Sequence, residues 1–199
     1  NNIQYLEPNV FAGLRTLKTL SLSNNYINMI DSTAFNSLET LIDLNLRNNT
    51  IRDLQPRTFK KMKNLRRLDL SINHIPALFP LMFLGLSSLE SLKLDGNQIL
   101  MIADDTFESM INLKELHLRA AGLSLLKPGM FNGLSSLRFL SLQANALSNI
   151  PDATFGSMKQ LKRIQLEGNK LVSINACAFA NVRFLKSVYA AGNPLHCDC

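Results

Sequence analysis

Apolar and polar positions alternate over a short stretch of this chain, give way to a looser pattern, and return every 24 residues. The set Leu65, Leu68, Leu70, Asn73, Ile75 comes back as Leu89, Leu92, Leu94, Asn97, Ile99. With the opening leucine counted as place one, leucines at places four and six are separated by polar residues at places three, five and seven. That is the period-2 pattern of a half-buried strand, so each cycle predicts one short strand. Every strand runs the same way and a full cycle separates it from the next. The strands therefore form a parallel sheet, neighbours about 4.8 Å apart, and the chain between them winds into coils.

Three columns keep this register. Leucine opens each cycle at Leu17, Leu41, Leu65, Leu89, Leu113, Leu137, Leu161 and Leu185, and phenylalanine follows at Phe11, Phe35, Phe59, Phe83, Phe107, Phe131, Phe155 and Phe179. Asparagine stands at Asn1, Asn25, Asn49, Asn73, Asn97, Asn145, Asn169 and Asn193, interrupted only at Ala121. A fixed period of this length predicts one supersecondary unit stacked along an axis. Each Asn amide carries two donors and an acceptor, enough to bridge its own turn to the next and build a ladder. The rest of each cycle, for instance Ile27, Ile30, Phe35 and Leu38, follows neither period 2 nor period 3.6. It predicts extended backbone with a short 3₁₀ turn, and a column of Phe rings behind the sheet. If that outer arc is wider than the strand spacing, the stack bends with the sheet on its concave side. Loss of the amide at Ala121 predicts a locally looser turn or a slight change in curvature; simple drift tolerated by the neighbouring coils is the preferred reading.

The pattern LxxLxLxxNxI followed by xxIxxxxFxxLxx resembles the 24-residue extracellular class of the leucine-rich repeat family, over the whole chain. The resemblance implies an α/β-type solenoid: a curved right-handed coil with a parallel concave β-sheet and an irregular or 3₁₀ convex side. The repeats are expected over 1–192, a partial one at 1–16 and full ones from residue 17. The segment 193–199, NPLHCDC, resembles the start of the cysteine-rich C-terminal cap of secreted members. Cys197 and Cys199 would then pair with cysteines beyond this chain, in an oxidising compartment, and the chain is expected to be a piece of a longer ectodomain. Metal binding by His196, Cys197 and Cys199 is the sharper alternative, but adjacent ligands without a distant second pair make a poor zinc site. Cys177 is read as a buried thiol or as a partner for a cap cysteine. No signal peptide and no run of 18 apolar residues is present, so any membrane attachment is expected from flanking segments. The sequon Asn48-Asn49-Thr50 would permit a glycan on Asn48 in a secreted protein.

The side chains between the strand leucines are expected on the open face, and there they vary. Phe139 stands out, a large apolar ring at a place otherwise kept polar or charged. It lies among Lys93, Asp95, Glu115, His117, Arg119, Gln143 and Arg163. An aromatic anchor with Arg and a polar rim is a common build for a protein interface. The bland alternative is one exposed ring covered by Arg163 or Arg138, since isolated surface apolars are ordinary.

Net charge is +6, and Arg52, Arg57, Lys60, Lys61, Lys63, Arg66 and Arg67 cluster in sequence, so a nucleic acid or sulfated glycan is a conceivable ligand. Most of the cluster maps to the outer segment, and no stacking aromatics interleave with it. Asp95, Glu115 and His117 could imitate a catalytic cluster on adjacent strands. Neither a pocket nor a ligand-binding Gly loop accompanies them, and no cofactor is implied. The resemblance thus implies a receptor or cell-adhesion segment that binds a protein ligand or co-receptor without chemistry. A Toll-like innate sensor for a microbial or polyanionic ligand, a homodimer, or a matrix spacer are the alternatives.

Overall fold

The computed structural model describes residues 1–196 of the 199-residue chain. Twelve short strands follow in order: β1 (Tyr5–Leu6), β2 (Thr19–Ser21), β3 (Met29–Ile30), β4 (Asp43–Asn45), β5 (Arg67–Asp69), β6 (Ala77–Leu78), β7 (Ser91–Lys93), β8 (Met101–Ile102), β9 (Glu115–His117), β10 (Phe139–Ser141), β11 (Arg163–Gln165) and β12 (Ser187–Tyr189). Eight of them form one parallel sheet in the order β12-β11-β10-β9-β7-β5-β4-β2. Partners sit 24 residues apart, as in Leu44 with Leu68 and Leu140 with Ile164. This is the expected solenoid of parallel strands. Two outer two-stranded pairs, β1 with β3 and β6 with β8, were not legible in the periodicity.

The strand leucines point into the coil interior. Leu44, Leu46, Leu92, Leu94, Leu116, Leu118, Leu140 and Leu142 are all fully buried, and with Phe35, Phe59, Phe83, Phe107, Phe131 and Phe155 they belong to one continuous core. Phe11, Phe35 and Phe59 stack in series, and a second stack runs from Phe83 to Phe179. Ring centroids in these stacks are 5.3 to 6.4 Å apart, against about 4.8 Å between parallel strands. The outer layer is the longer one, so the sheet lines the concave wall. Between sheet and Phe column the backbone makes consecutive tight turns, as in Ala34 N–H to Asp31 O (3.0 Å) and Leu38 N–H to Phe35 O (3.0 Å). A regular 3₁₀ segment forms at Ala176–Phe179.

The asparagine ladder closes the turns after the strands. Asn49 accepts from the Ile27 N–H (3.0 Å) and donates to the carbonyls of Leu22 and Leu46 (3.0 Å each). Asn73, Asn97 and Asn169 repeat the arrangement while almost wholly buried. At Ala121 the chain reroutes instead of loosening. The Ile99 N–H, which would meet the missing amide, donates to the Ala121 backbone oxygen at 2.7 Å, and Asn145 accepts from both Ala121 and Leu123 (3.0 Å each). Gly122 makes the detour feasible at φ +80°, a region costly for residues with a Cβ.

The residue before each ladder position adopts a left-handed backbone: Asn24, Asn48, Ile72, Gly96, Ala120, Ala144, Gly168 and Gly192. Asn and Gly suit it, whereas Ile72, at φ 54°, is β-branched and strained there. Ile72→Asn is expected to raise stability by about 1 kcal/mol through relief of that strain. It would also extend by one coil the bond from Asn48 Nδ2 to Asn24 Oδ1 (2.8 Å). Thermal melting of the two proteins checks it; an unchanged or lower midpoint contradicts it.

Cys177 lies exposed in the Ala176–Phe179 turn, which corrects the expectation of a buried thiol. Cys197 and Cys199, with the disulfide and metal readings placed on them, lie outside the described residues. Among the described residues no helix is long and apolar enough to cross a membrane.

Candidate functional site

Strand register brings the sequence-predicted residues onto one wall. Phe139 in β10 sits between Glu115 in β9 and Arg163 in β11, and His117 sits between Lys93 in β7 and Ser141 in β10. Asp95, Arg119 and Gln143 follow two places after the strand ends. All eight therefore share the concave face. Lys93, Glu115, Arg119 and Arg163 are exposed, whereas Asp95, His117, Phe139 and Gln143 are half-buried.

The Phe139 ring is not free-standing. His117 lies diagonally across the strands with its ring 5.1 Å from that of Phe139, tilted by 50°. The Arg163 guanidinium stands 6.0 Å from the ring centroid, within cation–π range. His117 Nε2 is 3.7 Å from Glu115 Oε2 and has no hydrogen-bond partner. Asp95 is held by the backbone, its Oδ1 accepting from the Arg119 N–H at 2.7 Å. Not every face position is open: Ser71 and Ser141 are buried between larger neighbours, which corrects the expectation that the intervening columns are uniformly free.

The basic cluster that runs from the second coil into the third is partly neutralised. Arg67 pairs with Asp43 at 2.7 Å, Arg66 with Glu90 at 3.4 Å and Lys61 with Glu39 at 3.7 Å. Glu90 also accepts from Lys114 at 2.8 Å. That hydrogen bond holds its carboxyl below the usual glutamate range against the opposing effect of burial, with smaller help from the charges of Lys114, Arg66 and Arg67. These pairs are largely exposed, so each adds little to stability.

A second set of cations lies where the alternation pattern gives no reason to look. Arg138, Lys162 and Lys186 occupy the second place of successive coils, at the edge where strands enter the sheet. With Glu115, Phe139, Arg163 and Ser187 they line a shallow hollow of about 330 Å³. The signal available in the sequence was the column itself: Lys18, Ile42, Arg66, Glu90, Lys114, Arg138, Lys162, Lys186. Asn48, on the opposite edge of the sheet, is exposed. Among the described residues no cluster of three or more His, Cys, Asp or Glu is arranged to hold a metal.

Comparison with known proteins agrees with this architecture. The family profile described as Leucine rich repeat matches residues 1–51, 15–75, 39–99, 87–147 and 140–195. No curated protein matches the sequence. Among solved structures, a chain of the Drosophila Toll–Spatzle complex is 25% identical with a TM-score of 0.91, over 98% of this chain and 26% of that one. A chain of the TLR13–ssRNA13 complex is 27% identical with a TM-score of 0.71, over 94% of this chain and 31% of that one. An internalin (inlF) of Listeria monocytogenes, 18% identical with a TM-score of 0.72 over 90% of this chain and 49% of that one, shares the fold alone. This chain spans less than a third of the two Toll-type chains. Overlapping matches from residue 1 to residue 195, on a solenoid with the family's strand and turn plan, make the chain a member of the leucine-rich repeat family.

Proposed function

We propose that the chain is a ligand-recognition segment of an extracellular receptor or cell-adhesion protein, and that it binds a protein partner through the concave sheet face without chemistry. Solenoids of this family are typically non-catalytic binding scaffolds. The observation that carries the reading is Phe139, a half-buried ring on the open wall with Arg163, Glu115 and His117 around it. Such an anchor removes apolar area from water on binding while the charged rim sets orientation and rejects wrong partners. The Toll–Spatzle complex is a protein assembly built on a chain of similar fold, which supports a protein partner. A glycan on Asn48, in an extracellular protein, would sit at the strand-exit edge and leave the wall open.

The test is affinity for the partner captured by the whole protein from cell-surface and secreted proteins. Phe139→Asp and Arg119→Glu, each with wild-type folding by circular dichroism, are expected to weaken it, Phe139→Asp by about 2 kcal/mol or more. Unchanged affinity in both would end the reading. The TLR13–ssRNA13 likeness supports a second one, an innate sensor for a polyanion. It is separated by asking whether single-stranded RNA competes with the captured protein.

A further inference from the structure

We propose that the hollow at the strand-entry edge of the last three coils is a subsite for an acidic peptide segment of the protein partner, with Phe139 taking an apolar side chain and Arg138, Lys162 and Lys186 taking carboxylates. This rests on the protein-binding reading above and adds to it the chemistry of the partner.

The argument begins with one column in two settings. In the third to fifth coils the second place reads Arg66, Glu90, Lys114, and Glu90 bonds both cations, so the column carries its own counter-ion. In the sixth to eighth it reads Arg138, Lys162, Lys186. Their backbones are bonded in series, Lys162 N–H to Arg138 O (2.9 Å) and Lys186 N–H to Lys162 O (2.8 Å), so the three cations start one strand spacing apart. Like charges opposite one another on adjacent strands are unfavourable. Among the described residues, none of Arg138, Lys162, Arg163 and Lys186 lies within 4.0 Å of a carboxylate oxygen. The imbalance is regional: seven Lys and Arg but two Asp and Glu fall within 138–196. A row of unneutralised cations at the rim of a hollow raises the local concentration of an anionic partner and its association rate.

The wall of the hollow decides between kinds of anion. A single-stranded nucleic acid is held by aromatic rings on which successive bases stack. Here one ring is present and its neighbour in contact is His117. A sulfated glycan is held chiefly by its sulfates on the cations, and needs no apolar side chain between them. A peptide with an apolar residue between carboxylates uses both features: the ring receives the apolar group and the cation row receives the acids.

The experiment uses the whole protein and fluorescein-labelled Glu-Glu-Phe-Glu-Glu, with Glu-Glu-Ser-Glu-Glu, a heparin oligosaccharide and oligo-dT as parallel probes. The Phe peptide is expected to bind saturably and more tightly than the Ser peptide. Its affinity should fall by about tenfold or more in Arg138→Glu/Lys162→Glu and by less in Arg138→Gln/Lys162→Gln. Lys60→Glu/Lys61→Glu, in the other basic cluster, should leave it unchanged. No saturable peptide binding, no response to the Arg138 and Lys162 changes, or heparin or oligo-dT binding more tightly while Phe and Ser peptides bind alike would overturn the proposal. Arg119 lies outside the hollow. Loss of partner binding in Arg119→Glu with no effect of Arg138→Glu/Lys162→Glu therefore refutes the subsite and keeps the concave-face reading, whereas loss in Arg138→Glu/Lys162→Glu and in Phe139→Asp with Arg119→Glu unchanged supports the subsite and confines the contact to the hollow end of the wall.

Discussion

Asn97→Ala is expected to destabilise the chain by about 2–6 kcal/mol, because two buried backbone groups lose their partners at about 1–3 kcal/mol each. Asn97 is 2% exposed and accepts from the Ile75 N–H at 3.1 Å while donating to Leu70 O at 3.1 Å and Leu94 O at 2.9 Å. Leu70 O keeps its bond from Asn73, so the cost falls on Ile75 N–H and Leu94 O. Alanine at the same ladder place is tolerated at Ala121, where the chain turns a backbone oxygen toward Ile99. That detour uses Gly122, and the corresponding residue after Asn97 is Gln98. The double substitution Asn97→Ala/Gln98→Gly should therefore recover part of the loss. Urea unfolding of the three proteins checks both statements. A loss below the error of the measurement, or no recovery, would mean that water satisfies the freed groups.

Phe107→Ala is expected to cost about 3–5 kcal/mol, the range for emptying a buried aromatic site. The ring is fully buried, with Phe83 at 6.2 Å on one side and Phe131 at 6.4 Å on the other. Those neighbours belong to different coils and are fixed by their own strands and turns, so collapse around the void is limited. Phe107→Leu, which keeps most of the volume, should cost clearly less. Denaturant midpoints rank the three; equal loss in Leu and Ala variants would indicate that ring stacking, and not filled volume, is what Phe107 supplies.

How much of this was legible in the sequence depended on the physical origin of each signal. Leu44, Phe59 and Asn73 repeat because packing and turn closure demand the same side chain in every coil, and such columns announce strand, core and ladder together. The short pairs β1–β3 and β6–β8 left no trace, since two residues are too few to establish a period. Burial of Ser71 and Ser141 was hidden because it depends on the bulk of neighbours a full cycle away in sequence. Phe139 was visible as an apolar residue in a polar column. Its contact with His117 follows from the diagonal between adjacent strands and could have been read from the register. Lys162 and Lys186 escaped notice because alternation directs attention to places three, five and seven, while place two faces the sheet edge.

The rerouted turn at Ala121 changes what joins two of the coils. Each coil touches only its neighbours, so cohesion along the axis is set interface by interface. The joint between the coils opened by Leu89 and Leu113 lacks the side-chain rung found at Asn49, Asn73, Asn97 and Asn169. Asp95 and Arg119 face each other across that joint, and both belong to the proposed contact wall. A partner seated there would bridge the two coils from outside, adding a contact at the joint where a backbone bond stands in for the side-chain rung.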